Sequence, residues 1–139
     1  MPIDIDLVRK KLAILDRHLT AIERMEVEEG TFVADADIHD LVVFRLQQAV
    51  ETCIDIATHL IAAIGIPRKE TARDAFLLLG QEKILPEELS LRMGKAADFR
   101  NRVVHGYNDV DFRLLFRDYR DDVGDLRSFG AATLAFLEK

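Results

Sequence analysis

Apolar residues recur at three- and four-residue steps along most of the chain, while the strict alternation of a half-buried strand is almost absent. Ile5, Val8, Leu12, Leu15, Leu19, Ile22 and Met25 form one stripe, which predicts a first helix ending near Gly30. Asp35-Ala36-Asp37 offers N-cap side chains. From there Leu41, Phe44, Leu46, Ala49, Cys53, Ile56, Ala57 and Leu60 carry a long second helix to Gly65 and Pro67. A shorter third helix runs from about Thr71 to Leu79 and closes at Gly80, with Ala72, Ala75, Phe76 and Leu79 inward. Pro86 suits the first turn of a fourth helix, and Glu87 and Glu88 complement the positive end of its dipole. Its inward face takes Leu89, Met93, Ala96 or Ala97, and Val103 or Val104, and it ends at His105-Gly106. A fifth helix begins around Asp109 and carries Phe112, Leu115, Phe116, Tyr119, Val123, Leu126, Phe129 and Phe136. The pattern predicts an all-α, up-and-down bundle of about five helices. Residues 28–37 are the least regular piece and the expected mobile loop.

At 139 residues the chain fits one domain spanning residues 1–139. Folding at this size buries roughly 68% of the unfolded surface, enough for a core without covalent staples. Cys53 is the only cysteine and has no intramolecular partner, and Asp4 and Asp6 stand where a leader would be apolar. The longest nearly continuous apolar stretch, residues 60–66, falls far short of the ~20 needed to span a bilayer. A soluble protein in a reducing cytoplasm, with no membrane partner, is the expectation. The net charge of −6 argues against a protein that coats nucleic acid. Between Arg92 and His105, however, Arg92, Lys95, Arg100 and Arg102 face only Asp98, and the acid-rich stretch from Asp109 to Asp125 bounds this basic patch.

Chemistry concentrates in residues 99–107, where Phe99, Arg100, Asn101, Arg102, His105 and Tyr107 bring together two guanidiniums, an amide, an imidazole and a phenol. Such a set can bind a phosphate and move a proton. On a straight helix Arg100 and His105 stand about 140° and ~7.5 Å apart, so they do not share a face. Asn101 and Arg102 are the helical neighbours of His105, four and three residues away. Arg100 reaches the same phosphate by wrapping around the helix, through a loosened last turn before Gly106, or from a second copy of the chain. A second copy, giving a site shared across a symmetric dimer, is favoured.

Arg100-Asn101-Arg102-Val103-Val104-His105 resembles the motif of HEPN-domain ribonucleases, an arginine, a polar residue, variable residues and a histidine, and Gly106-Tyr107 resembles the HepT toxin branch. The likeness extends to residues 46–60 of the second helix and to residues 76–86. It implies a HEPN-like helical fold and an RNA-cleaving toxin, acting on substrates such as transfer RNA at a cleft between two copies, without metal or other cofactor. Arg100 and His105 would be catalytic, with Asn101 and Arg102 in support. Arg100 would hold the phosphate and stabilise its growing charge, and His105 would take a proton from a ribose 2′-hydroxyl or return one to the leaving oxygen. The resemblance further implies a nucleotidyltransferase antitoxin of the MNT type, which transfers AMP to the tyrosine matching Tyr107. The bulk and negative charge so added would close the cleft to RNA.

The same residues have a structural reading, since arginines and a histidine near a helix C-terminus stabilise the negative end of its dipole by ~0.3 to 1 kcal/mol. Tyr107 alone reads as a partly buried aromatic with its hydroxyl bonded. Asp55 and His59, four apart, supply half a metal site with nothing to complete it, and read as a solvated contact. His18 has no partner pattern, the cluster of Asp35, Asp37, His39 and Asp40 reads as a loop and cap, and Cys53 reads as core. Two functions follow: a ribonuclease toxin, or a catalytically silent helical subunit that binds nucleotide or docks a nucleotidyltransferase. Under the first, Arg100→Ala is expected to abolish activity at a stability cost of no more than ~0.5 kcal/mol.

Overall fold

Four of the six helices begin on a side chain that accepts from a free backbone N–H. The computed structural model describes residues 2–139. Helix α1 spans Ile5–Glu23, α2 Glu29–Ala34, α3 Ala36–Ala63, α4 Ala72–Gln81, α5 Glu87–Gly106 and α6 Phe112–Leu137, with a 3-10 turn at Tyr107–Asp109 between the last two. Asp4 caps α1 through Leu7 N, Asp35 caps α3 through Asp37 N, Thr71 caps α4 through Asp74 N, and Asp111 caps α6 through Arg113 N and Leu114 N. At the other end of α3, Gly65 takes φ +82°. Its N–H then reaches Ala62 O and that of Ile66 reaches Ile61 O, the paired bonds that close a helix on a left-handed residue.

Helix α1 packs on α3 and α4 packs on α5 and α3, with α6 laid along α1, α2, α3 and α5. One hydrophobic core runs through it, from Val8, Leu15 and Leu19 to Phe76, Met93 and Phe129. Val103 and Ala97 are the inward members of the pairs left open by the sequence, while Val104 is exposed. Ile5, Leu41 and Phe44, placed on inward stripes by periodicity, are exposed: Ile5 lies at the edge of the buried arc of α1, and Leu41 and Phe44 lie on the side of α3 turned away from its buried residues.

Residues 28–37 are not the loose loop the sequence suggests. They hold α2, whose Phe32 is fully buried, with its ring stacked on Tyr119 at 5.6 Å and tilted on Phe116 at 5.3 Å. Six residues cannot sustain a helix alone, so this one is held by tertiary packing. The start of the last helix also differs: Asp109 closes the 3-10 turn, and Asp111 is the cap. No helix among the described residues is long and apolar enough to cross a membrane.

Candidate active site

Helix α5 carries the motif, and its register sorts the motif's side chains onto different faces. Arg92, Lys95, Phe99, Arg102 and His105 recur at three- and four-residue steps and line one groove of about 680 Å³. Leu46 and Val50 of α3 form part of its floor, and Leu114, Leu115 and Leu126 of α6 part of the far side. Arg102 and His105 are exposed, and the Arg102 guanidinium lies over the Phe99 ring at 5.9 Å.

The far wall is acidic, and it brings the acid-rich stretch noted in the sequence face to face with the bases. Asp118, Asp122 and Asp125, one face of α6, look across at the bases, and Asp125 accepts from Arg92 Nε at 2.8 Å. Burial, together with the charges of Asp125, Asp118 and Asp121, pushes the Asp122 carboxyl up to about 6, against a smaller opposing pull from Arg102. Positive potential is therefore partly cancelled along the groove, in which Arg102 and His105 are exposed and can meet an anion.

Arg100 does not enter this groove. Its Nη1 donates to Glu51 Oε1 of α3 at 2.6 Å, its side chain is only 22% exposed, and its Nε is buried without a partner. Within one chain the two motif residues thus face different ways, as the 140° offset between them requires. Asn101 is exposed and makes no hydrogen bond with His105 among the described residues.

Tyr107 leaves the end of α5 on the 3-10 turn and points to the first turns of α3, where its hydroxyl donates to Asp40 Oδ1. Partial burial and the adjacent carboxylate push the phenol up to about 12. Behind Asp40 sits His39, 7% exposed, its ring stacked on Phe112 at 3.7 Å between centroids. Glu51, Asp40 and His39 escaped the sequence reading as partners of the motif. The pairs are 49 residues apart for Arg100 and 67 for Tyr107, beyond any local spacing.

The remaining candidates fall to structural roles. Asp55 accepts from Lys11 Nζ at 3.2 Å, and His59 Nε2 accepts from the Asp4 backbone N–H at 3.1 Å, so the two serve separate partners. Cys53 is fully buried in the core, and burial pushes its thiol up, away from the reactive thiolate. His18 Nδ1 accepts from Arg45.

A helical bundle of this kind is also the fold of a solved HEPN toxin. The tri-AMPylated HEPN toxin of Shewanella oneidensis, solved in complex with its MNT antitoxin, superposes with a TM-score of 0.83 at 29% identity, over 94% of this chain and 98% of that one. The model of the ribonuclease HepT-like family matches residues 15–132, and the chain belongs to that family. Among relatives, the mRNA nuclease HepT of Shewanella oneidensis is 29% identical over 126 residues, 89% of this chain and 93% of its own. The tRNA nuclease HepT of Aphanizomenon flos-aquae is 27% identical over 112 residues, 79% of this chain and 76% of its own.

Proposed function

We propose that this chain is the metal-independent endoribonuclease toxin of a toxin–antitoxin module. Residues 1–139 act as one domain, two copies build each cleavage site, and AMP placed on Tyr107 by a partner nucleotidyltransferase of the MNT type silences it. The observation that carries the reading is the division of the motif: His105 and Arg102 stand exposed in the groove, while Arg100 emerges on another face of the same helix.

A twofold axis near the end of α5 brings Arg100 of one copy to His105 of the other. Glu51 takes one terminal nitrogen of Arg100 and holds the guanidinium's plane, leaving the other for a phosphate oxygen. His105 accepts the proton of a ribose 2′-hydroxyl, whose oxygen attacks the adjacent phosphorus. The bond to the 5′-oxygen breaks, and that oxygen leaves with a proton from an imidazole. Because the nucleophile is part of the substrate, the step needs no activated water. Arg100 stabilises the charge that grows on the phosphoryl oxygens, Arg102 adds a second cation, and Asn101 donates to phosphate or steadies the imidazole. AMP on Tyr107, two residues from His105, places bulk and negative charge beside the scissile phosphate.

Expression without an antitoxin tests the activity. Wild type is expected to arrest growth and degrade RNA, and His105→Ala to do neither. Harmlessness of both would favour the silent, nucleotide-binding or nucleotidyltransferase-docking subunit.

A further inference from the structure

Asp40, His39 and Tyr107 form a chain of contacts outside the groove that RNA cleavage does not use. Asp40 Oδ1 accepts from the Tyr107 hydroxyl and lies 3.5 Å from His39 Nε2. On its other side, the His39 ring contacts the Phe32 carbonyl oxygen through Nδ1 at 2.9 Å. A carbonyl oxygen only accepts, so Nδ1 carries the hydrogen, and in neutral His39 the bare Nε2 faces the carboxylate. Two acceptors side by side are a resting place for one proton. Packing fixes the arrangement: His39 is buried, stacked on Phe112, and Phe112 also packs at 6.1 Å on the Tyr107 ring. The Asp40 carboxylate itself is 55% exposed, open to a partner and to water.

Resting on the reading of Tyr107 as the modified residue, we propose that the toxin supplies the proton acceptor for its own nucleotidylation: Asp40 is the general base for the Tyr107 hydroxyl, and His39 shares the proton it receives. Tyr107 Oη attacks the α-phosphorus of a nucleoside triphosphate carried by the antitoxin. A phosphorus–oxygen bond to the phenol forms, the bond to the pyrophosphate oxygen breaks, and pyrophosphate leaves. The phenolic proton passes to Asp40 and from there to His39 Nε2 or to water, so the step is balanced without a further reactant. The contact partners of the Asp40 carboxylate are Tyr107 from the 3-10 turn and His39 from α3, and Asp40 is the charge acting on the phenol. Deprotonation in place matters because this phenol would otherwise stay protonated at neutral pH.

The test follows transfer of AMP from ATP to the purified chain by a partner nucleotidyltransferase of the MNT type, using intact mass and peptide mapping from pH 6 to 9. Asp40→Asn keeps an acceptor oxygen but cannot take the proton. It is expected to slow transfer about a hundredfold at pH 7, within the usual reach of a general base. The deficit should shrink as pH rises and the phenol ionises unaided. A second measurement is absorbance titration of the phenols, in which Asp40→Asn moves the Tyr107 transition to lower pH while circular dichroism stays unchanged. If wild type is modified at Tyr107 and Asp40→Asn keeps pace with it at every pH, the base lies elsewhere and this inference falls alone. If wild type takes AMP on another residue and none on Tyr107, the modification reading falls with it.

Discussion

At the scale of single residues, Arg100 and His105 are held in opposite ways, and their substitutions should differ accordingly. His105 is exposed and bonded to no side chain among the described residues, so His105→Ala is expected to lower RNA cleavage at least a hundredfold with a stability change within about 0.5 kcal/mol. Thermal melting alongside a cleavage assay checks both halves. Arg100 is mostly covered and paired with Glu51, which revises the negligible cost expected for a surface arginine. Arg100→Ala leaves Glu51 half-buried without its cation, and a loss of about 1 to 2 kcal/mol should accompany the loss of cleavage. Arg100→Lys should recover much of the stability but less of the activity, because an ammonium cannot serve carboxylate and phosphate through one plane. The Arg102–His105 pair was legible from spacing alone, since three residues is one helical turn. The anchors Glu51 and Asp40 were not, because nothing in a local window records which distant turn of α3 will lie beside a given turn of α5.

At the scale of elements, the close approach of α4 and α5 depends on Gly80. A Cβ there would press on the Ser90 hydroxyl and come within 2.7 Å of its Cβ, and Ser90 is 2% exposed and bonded to Glu87 O. Alanine's better helix propensity, worth about 1 kcal/mol, does not offset such overpacking. Gly80→Ala is therefore expected to destabilise by roughly 1 to 2 kcal/mol, measured by urea denaturation, whereas Gly124→Ala, with open space around its Cβ, should stabilise. The long helices were readable because each carries an apolar stripe over several turns and ends on a capping residue. Helix α2 was not, because its one fully buried side chain is a phenylalanine whose ring partners Phe116 and Tyr119 belong to the far end of the chain.

At the scale of the whole molecule, the acidic face of α6 sets how stability and binding respond to pH. The Asp122 carboxyl, at about 6, lies above its ordinary value of 3.8. Between those values the folded chain retains a proton that the unfolded chain has lost, so this group's contribution falls as pH rises through the window and is least favourable above it. Asp122→Asn should then raise stability at pH 7 by about 1 kcal/mol, with the gain fading towards pH 4 in pH-dependent melting curves. The same substitution removes one repulsive charge from the groove and should tighten RNA binding modestly at low salt. An excess of acids was plain in the sequence; that they face the basic stripe of α5 depends on how α6 folds back.

The division of the motif between two copies is tested most directly by mixing two inactive variants. His105→Ala retains Arg100, and Arg100→Ala retains His105, so a heterodimer of the two contains one intact site and one doubly broken site. With random pairing, half the dimers are mixed, and RNA cleavage should return to about a quarter of the wild-type rate, although each variant alone is inactive. A mixture no more active than its parents, with subunit exchange verified by mass spectrometry, would place both residues in one chain and contradict the composite site.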